Sequence, residues 1–137
     1  MAAVPYTQGI LLALLRADTA LSAAGAGIGS LQPPDVDKRL PWVVCARVPG
    51  GSSAADVRFE DVGRIQVDAY AADPKDAVQL ALTTHRALIA GWRSQTTTTD
   101  GHLTNVRAVS LPAILPQSDL PAGVHRAQAL YAVSAVL

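Results

Sequence analysis

The chain has 137 residues, yet only one cysteine, one methionine and one phenylalanine, and aromatic residues make up 4% of it. Each scarcity removes a class of function. A single thiol, Cys45, rules out an intrachain disulfide. Its setting in the apolar run Trp42-Val43-Val44-Cys45-Ala46 predicts a buried, inert group. Glu60 is the one glutamate among aspartates scattered mainly through loops. Paired carboxylates for general acid–base work must converge with different pKa values. The one local group, Asp56, Glu60 and Asp61, reads as solvated loop charges.

The three histidines, His85, His102 and His125, have no second His or Cys at ligand spacing. His85 is expected partly buried on a helix, and His102 and His125 exposed beside strands. No Gly-x-Ser-x-Gly elbow is present, although a triad assembled only in space stays open at this level. Gly25-Ala26-Gly27-Ile28-Gly29 follows a helix, whereas a phosphate-cradling loop must follow a strand and open a helix. No catalytic residue, cofactor-binding residue, metal ligand or cofactor is therefore expected.

Net charge is also missing: 11 Lys+Arg balance 11 Asp+Glu. No global field draws nucleic acid or an anionic membrane. Arg39, Arg47, Arg58, Arg64, Arg107 and Arg126 lack the interleaved aromatics and basic balance of a nucleic-acid surface. The N-terminal segment has no signal-peptide pattern, and its apolar stretch 10–15 is too short to span a bilayer. The expected setting is the cytoplasm or an assembled particle.

What is abundant is apolar residues, at 50% against 16% charged. An alanine-rich core accounts for that balance; so does a surface covered by other subunits.

The clearest pattern is Arg64-Ile65-Gln66-Val67-Asp68-Ala69-Tyr70, which alternates apolar and polar residues as a half-buried strand does. It runs into Asp73-Pro74-Lys75-Asp76-Ala77, where Asp73 reads as a helix N-cap and Pro74 as the first helical residue. The predicted helix covers 74–90, with Gly91 as its stop. An earlier helix covers 7–24 and ends at the glycine cluster 25–29. Residues 42–48 read as a strand apolar on both faces, hence central. Further strands are predicted over 62–70, 103–111 and 126–137. Loops are predicted over 49–61, 94–102 and 112–123. The order α-β-β-α-β-β implies an α+β fold: a mostly antiparallel four-stranded sheet with two main helices packed on one face. The second face is left as a docking surface, in a single domain over residues 1–137.

The ordered set of these motifs resembles the tail terminator (tail completion) proteins of long-tailed, siphovirus-type phages, particularly those of actinobacteria. The resemblance rests on Leu11-Leu12-Ala13-Leu14-Leu15, Pro41-Trp42-Val43-Val44 and Arg47-Val48-Pro49-Gly50-Gly51. It continues through Arg64 to Asp73, the helix that follows, and Arg126-Ala127-Gln128-Ala129-Leu130-Tyr131-Ala132-Val133. It implies a structural virion protein and no enzyme, assembled in the host cytoplasm and resident at the head–tail junction. There it would cap the tail tube as a ring, a homo-oligomer expected to be a hexamer. Its implied partners are the major tail tube protein and a head-side connector or stopper. No membrane and no specific nucleic acid is implied, with DNA passing through the ring. Pro49, Gly50, Gly51, Arg58, Thr97, Thr98 and Asp100 are the expected interface residues, on loops long enough to reach a neighbour. The competing readings are another connector component, a stopper or adaptor, and a small α/β ligand-binding or enzymatic domain.

Overall fold

The computed structural model describes residues 5–49, 60–115 and 120–137. The strand-to-helix junction forms as its residue types dictate. Strand β3, Asp61–Ala71, leads into helix α3, Pro74–Arg93. Asp73 is extended at φ −140° and ψ 140°, and its Oδ1 accepts the Lys75 backbone N–H at 2.8 Å. Pro74 occupies the first turn, where an N–H has no intrahelical partner. The helix runs past Gly91 to Arg93, contrary to the expected stop. A Cβ on Gly91 would lie 2.9 Å from Leu14 Cδ1, so this glycine serves close helix packing, and the left-handed residue is Gln95, at φ 52°.

The four expected strands are present and antiparallel: β2, Trp42–Val48; β3; β4, His102–Leu115; and β5, His125–Val136. A fifth corrects the expected four-stranded sheet. Strand β1, Gly27–Gly29, pairs parallel with β2, giving a mixed sheet of order β1-β2-β3-β5-β4. Glycine disfavours strands. Pairing with β2 rather than local preference makes this one, and the Trp42 ring lies against Gly27. The element order thus departs from α-β-β-α-β-β.

The N-terminal helix also differs, being two helices rather than one: α1, Thr7–Ala17, and α2, Thr19–Ala23. Asp18 breaks the run at ψ 128° and caps α2 by accepting the Leu21 N–H at 3.0 Å. A competing side-chain acceptor outweighs the continuous apolar stripe. Strand β4 is longer than expected and carries Pro112 within it, where 112–123 had read as loop. Proline is tolerated because β4 is an edge strand. Register shifts at Leu103/Asn105, Ala108/Ser110 and Ser110/Ala113 interrupt its pairing with β5.

The main core lies between the sheet and the helices. Ile10, Leu11 and Leu15 of α1 and Leu88 of α3 are fully buried against Val43, Ile65, Val67 and Val133. A smaller cluster occupies the other face. Val36, in a 3-10 turn over Val36–Lys38, packs with Val44, Tyr70 and Val124, and Trp42 and Leu40 join it. The face expected to be open is therefore covered at one end.

Register defines two ends of the sheet. Val48, Asp61, His102 and Val136 mark the near end; Trp42, Ala71, Leu115 and His125 mark the far end. Pro49, Glu60 and the connection 94–101 lie at the near end, and residues 120–124 at the far end.

Candidate assembly surfaces

At the near end, one carboxylate gathers three elements. Asp61 opens β3, and Arg47 on β2 donates to both its oxygens, Nη2 to Oδ1 at 2.9 Å and Nη1 to Oδ2. Thr7, at the start of α1 and buried, donates its hydroxyl to Oδ2 at 2.6 Å. The Arg47 guanidinium, followed by the Thr7 hydroxyl, holds the Asp61 carboxyl below its ordinary pKa, although partial burial opposes the shift. The same pairing raises Arg47. Gly63 makes room for this crossing: a Cβ there would lie 2.6 Å from Arg47 Nη2. Asp61 is thus a structural tie between β2, β3 and α1. The reading of it as a solvated loop charge is corrected; Glu60 beside it is exposed, and Asp56 lies outside the described residues.

The second near-end loop is a tight turn. The Thr98 and Gly101 backbones bond each other at 2.9 and 3.2 Å, and Thr98 Oγ1 also donates to the Gly101 carbonyl. Asp100 donates its N–H to Thr98 Oγ1 and accepts the Tyr6 N–H on its carbonyl at 3.1 Å. This fastens the turn to the chain entering α1. Among the expected interface residues, the structure brings Pro49, Thr97, Thr98 and Asp100 to this one end, with Pro49 and Thr97 exposed. Gly50, Gly51 and Arg58 lie outside the described residues. Sequence reasoning named Arg47 and Asp61 but did not join them with each other or with Thr7, since the three have no contiguous motif; the only signal was Asp61 immediately preceding a strand.

On the second face, Asp68 is buried mid-strand and accepts from Gln66 Nε2 and Gln128 Nε2, each at 2.9 Å. Arg64 and Arg107 flank Ala132 in one cross-strand row of that face. The six arginines do not form one cluster: Arg39 pairs with Asp35 at 2.8 Å, Arg47 with Asp61, and Arg58 lies outside the described residues.

Two further apolar features stand out, one along the second half of β4 and one at the far end. Val109, Leu111 and Ile114 on β4 are 41%, 66% and 38% exposed. A cavity of about 380 Å³ lies between α2, the start of β2, the end of β3 and the first half of α3.

Cys45 is fully buried, and desolvation pushes its thiol up to about 12. His85 Nδ1 lies 2.9 Å from the Tyr131 hydroxyl with the rings stacked, and burial pushes that phenol up to about 12. His102 and His125 are half-buried first residues of strands rather than exposed flanks. Among the described residues, no three His, Cys, Asp or Glu side chains group to hold a metal ion. No described helix is long and apolar enough to cross a membrane.

Comparison with known proteins places this arrangement. No curated protein matches the chain in sequence. In fold it is similar to a chain in the solved structure titled "Virion of native gene transfer agent (GTA) particle". That likeness has a TM-score of 0.67 at 18% identity and covers 95% of this chain and 94% of that one. A family model described as "Phage tail termination protein" matches residues 3–118. The chain belongs to the phage tail termination protein family.

Proposed function

We propose that this protein is a non-catalytic ring subunit that caps the finished tail tube, ends its polymerisation and presents a surface to the head-side connector. As a tail termination protein it is a structural component of the virion tail. The observation that carries the rest is the family match over most of the chain. The physical layout is consistent with it. A cyclic ring uses heterologous contacts, in which one patch meets a different patch on the next copy. This fold has two differently built sheet edges, β1 and β4. Six copies would close the ring around the passage for DNA.

The near end is the proposed contact with the tube and the neighbouring copy, through Pro49, Gly50, Gly51, Arg58, Thr97, Thr98 and Asp100. Arg47, Asp61 and Thr7 support it from below by holding β2, β3 and α1 in register. The test is binding to the ends of purified tail tubes, read by electron microscopy, with tube length followed during polymerisation. End-capping and arrested growth are expected, with hydrogen-exchange protection gained over 94–101. Binding only to the portal-side complex, with none at tube ends, would assign the protein to the stopper position instead.

A further inference from the structure

We propose that the β4 ridge of one copy, Val109, Leu111 and Ile114, seats in the far-end cavity of the next copy. The ring would then close through a ridge-in-cavity contact. The inference rests on the ring reading above and names the surface that reading leaves open.

Four observations converge on it. The cavity walls are chiefly apolar: Ala24, Leu40, Pro41, Ala71, Ala72 and Leu80. The ridge is the apolar counterpart, with Leu111 66% exposed on an edge strand. A lone exposed leucine is ordinary, but three within six residues of one edge form a patch.

Position is the second argument. The ridge lies on β4, at one lateral edge of the sheet. The cavity lies over β2 and β3, toward the other edge. A subunit so arranged meets its own complement only on another copy, which makes the contact heterologous. The ridge runs from mid-sheet, where Ala108 and Ser110 pair with Tyr131 and Leu130, to Ile114 opposite Ala127 near the far end, where the cavity opens.

Charge is the third. Asp76 lies on the cavity wall, and Arg107 is exposed on β4; among the described residues neither makes an ion pair. Arg107 precedes Leu111 by about 13 Å of strand. The α3 wall of the cavity spans about 10 Å from Asp76 to Thr83. The proposed contact would bring Arg107 of one copy to Asp76 of the next.

Strand irregularity is the fourth. Register shifts on both sides of Ser110 lift this part of β4 out of regular pairing with β5. Bulges at sheet edges re-aim side chains and stop open-ended strand pairing. Here they would turn the edge from a template for strand addition into a set of knobs.

The experiment pairs cysteines across the contact. Cys45 is buried, so the wild-type chain is the unreactive control. Leu111→Cys combined with Ala72→Cys, assembled on tail tubes and treated with a short bismaleimide, should give a covalent ladder extending beyond dimer. Each single variant should give no species above dimer. A double variant that caps tubes but gives no ladder overturns the ridge-in-cavity contact while leaving the ring reading intact. Failure of the wild type to bind tubes at all overturns both. As a second readout, Arg107→Glu should lower capping at least tenfold, and Arg107→Glu with Asp76→Arg should restore it. Unchanged capping by Arg107→Glu overturns the charge pairing.

Discussion

Replacing Asp61 with asparagine keeps the side chain's shape and removes its charge, which isolates what the near-end tie contributes. Two interactions weaken. The Arg47–Asp61 pair is partly solvated, with 39% of the arginine and 13% of the aspartate side chain exposed. After that screening it is worth about 0.5–1 kcal/mol. The Thr7 hydroxyl bond at 2.6 Å changes from a charged to a neutral acceptor. A hydrogen bond to a charged group contributes roughly 1.5–3 kcal/mol and a neutral one about 1, so the change is about 0.5–2 kcal/mol. Together Asp61→Asn should destabilise by about 1–3 kcal/mol. In a domain of this size that lowers Tm by roughly 3–12 °C at pH 7. The pH dependence has a definite sign. Because the folded carboxyl titrates below its ordinary value, its contribution is fully present above the unfolded pKa. It is lost as pH falls through the lower, folded value. The gap between wild type and Asp61→Asn should therefore close in acid. Calorimetry from pH 7 down to the acid limit of folding measures it. Equal Tm values at pH 7, or a gap independent of pH, would refute the tie.

Three further outcomes are expected. Asp73→Ala removes the acceptor of the Lys75 N–H and should destabilise by about 0.5–2 kcal/mol in urea unfolding, with tube capping retained at temperatures where the variant is folded. Tyr131→Phe deletes a hydroxyl buried beside His85 and should destabilise by about 1–3 kcal/mol, since the imidazole nitrogen loses its partner. An aromatic thiol reagent should leave Cys45 unmodified in the native protein at pH 8 and titrate one thiol after unfolding, because the group is buried and protonated.

The elements legible in the sequence were those whose cause is local. The alternation 64–70, the Asp73 cap and Pro74 located β3 and α3, and the apolar run 42–48 located β2 to the residue. What escaped depends on partners remote in sequence. A Gly-Ile-Gly strand exists because β2 accepts it, and β4 continues through Pro112 because its other side faces no strand. The Asp18 break was written locally, but the apolar stripe across it carried the opposite message. For the candidate site, the two near-end loops were visible as breaks in pattern. Their fastening to α1 through Thr7, Asp61, Tyr6 and Asp100 was not, as those residues lie far apart in the chain.

The strand order carries a consequence for how the chain folds. β2 with β3, and β4 with β5, are each consecutive in the chain, so each pair closes a smaller loop than the seam between them. The β3–β5 seam, running from Asp61 opposite Ala135 to Ala71 opposite His125, joins segments more than fifty residues apart. The largest single loop-closure cost among these three pairings therefore falls on that seam. Its helix-side pairs are small, with Ala69 opposite Ala127 and Val67 opposite Ala129. Ile65 and Tyr131 form the large pair on that side. The folding rate should accordingly be governed by how early those two side chains meet, with α3 as the tether that keeps the two hairpins within reach of each other.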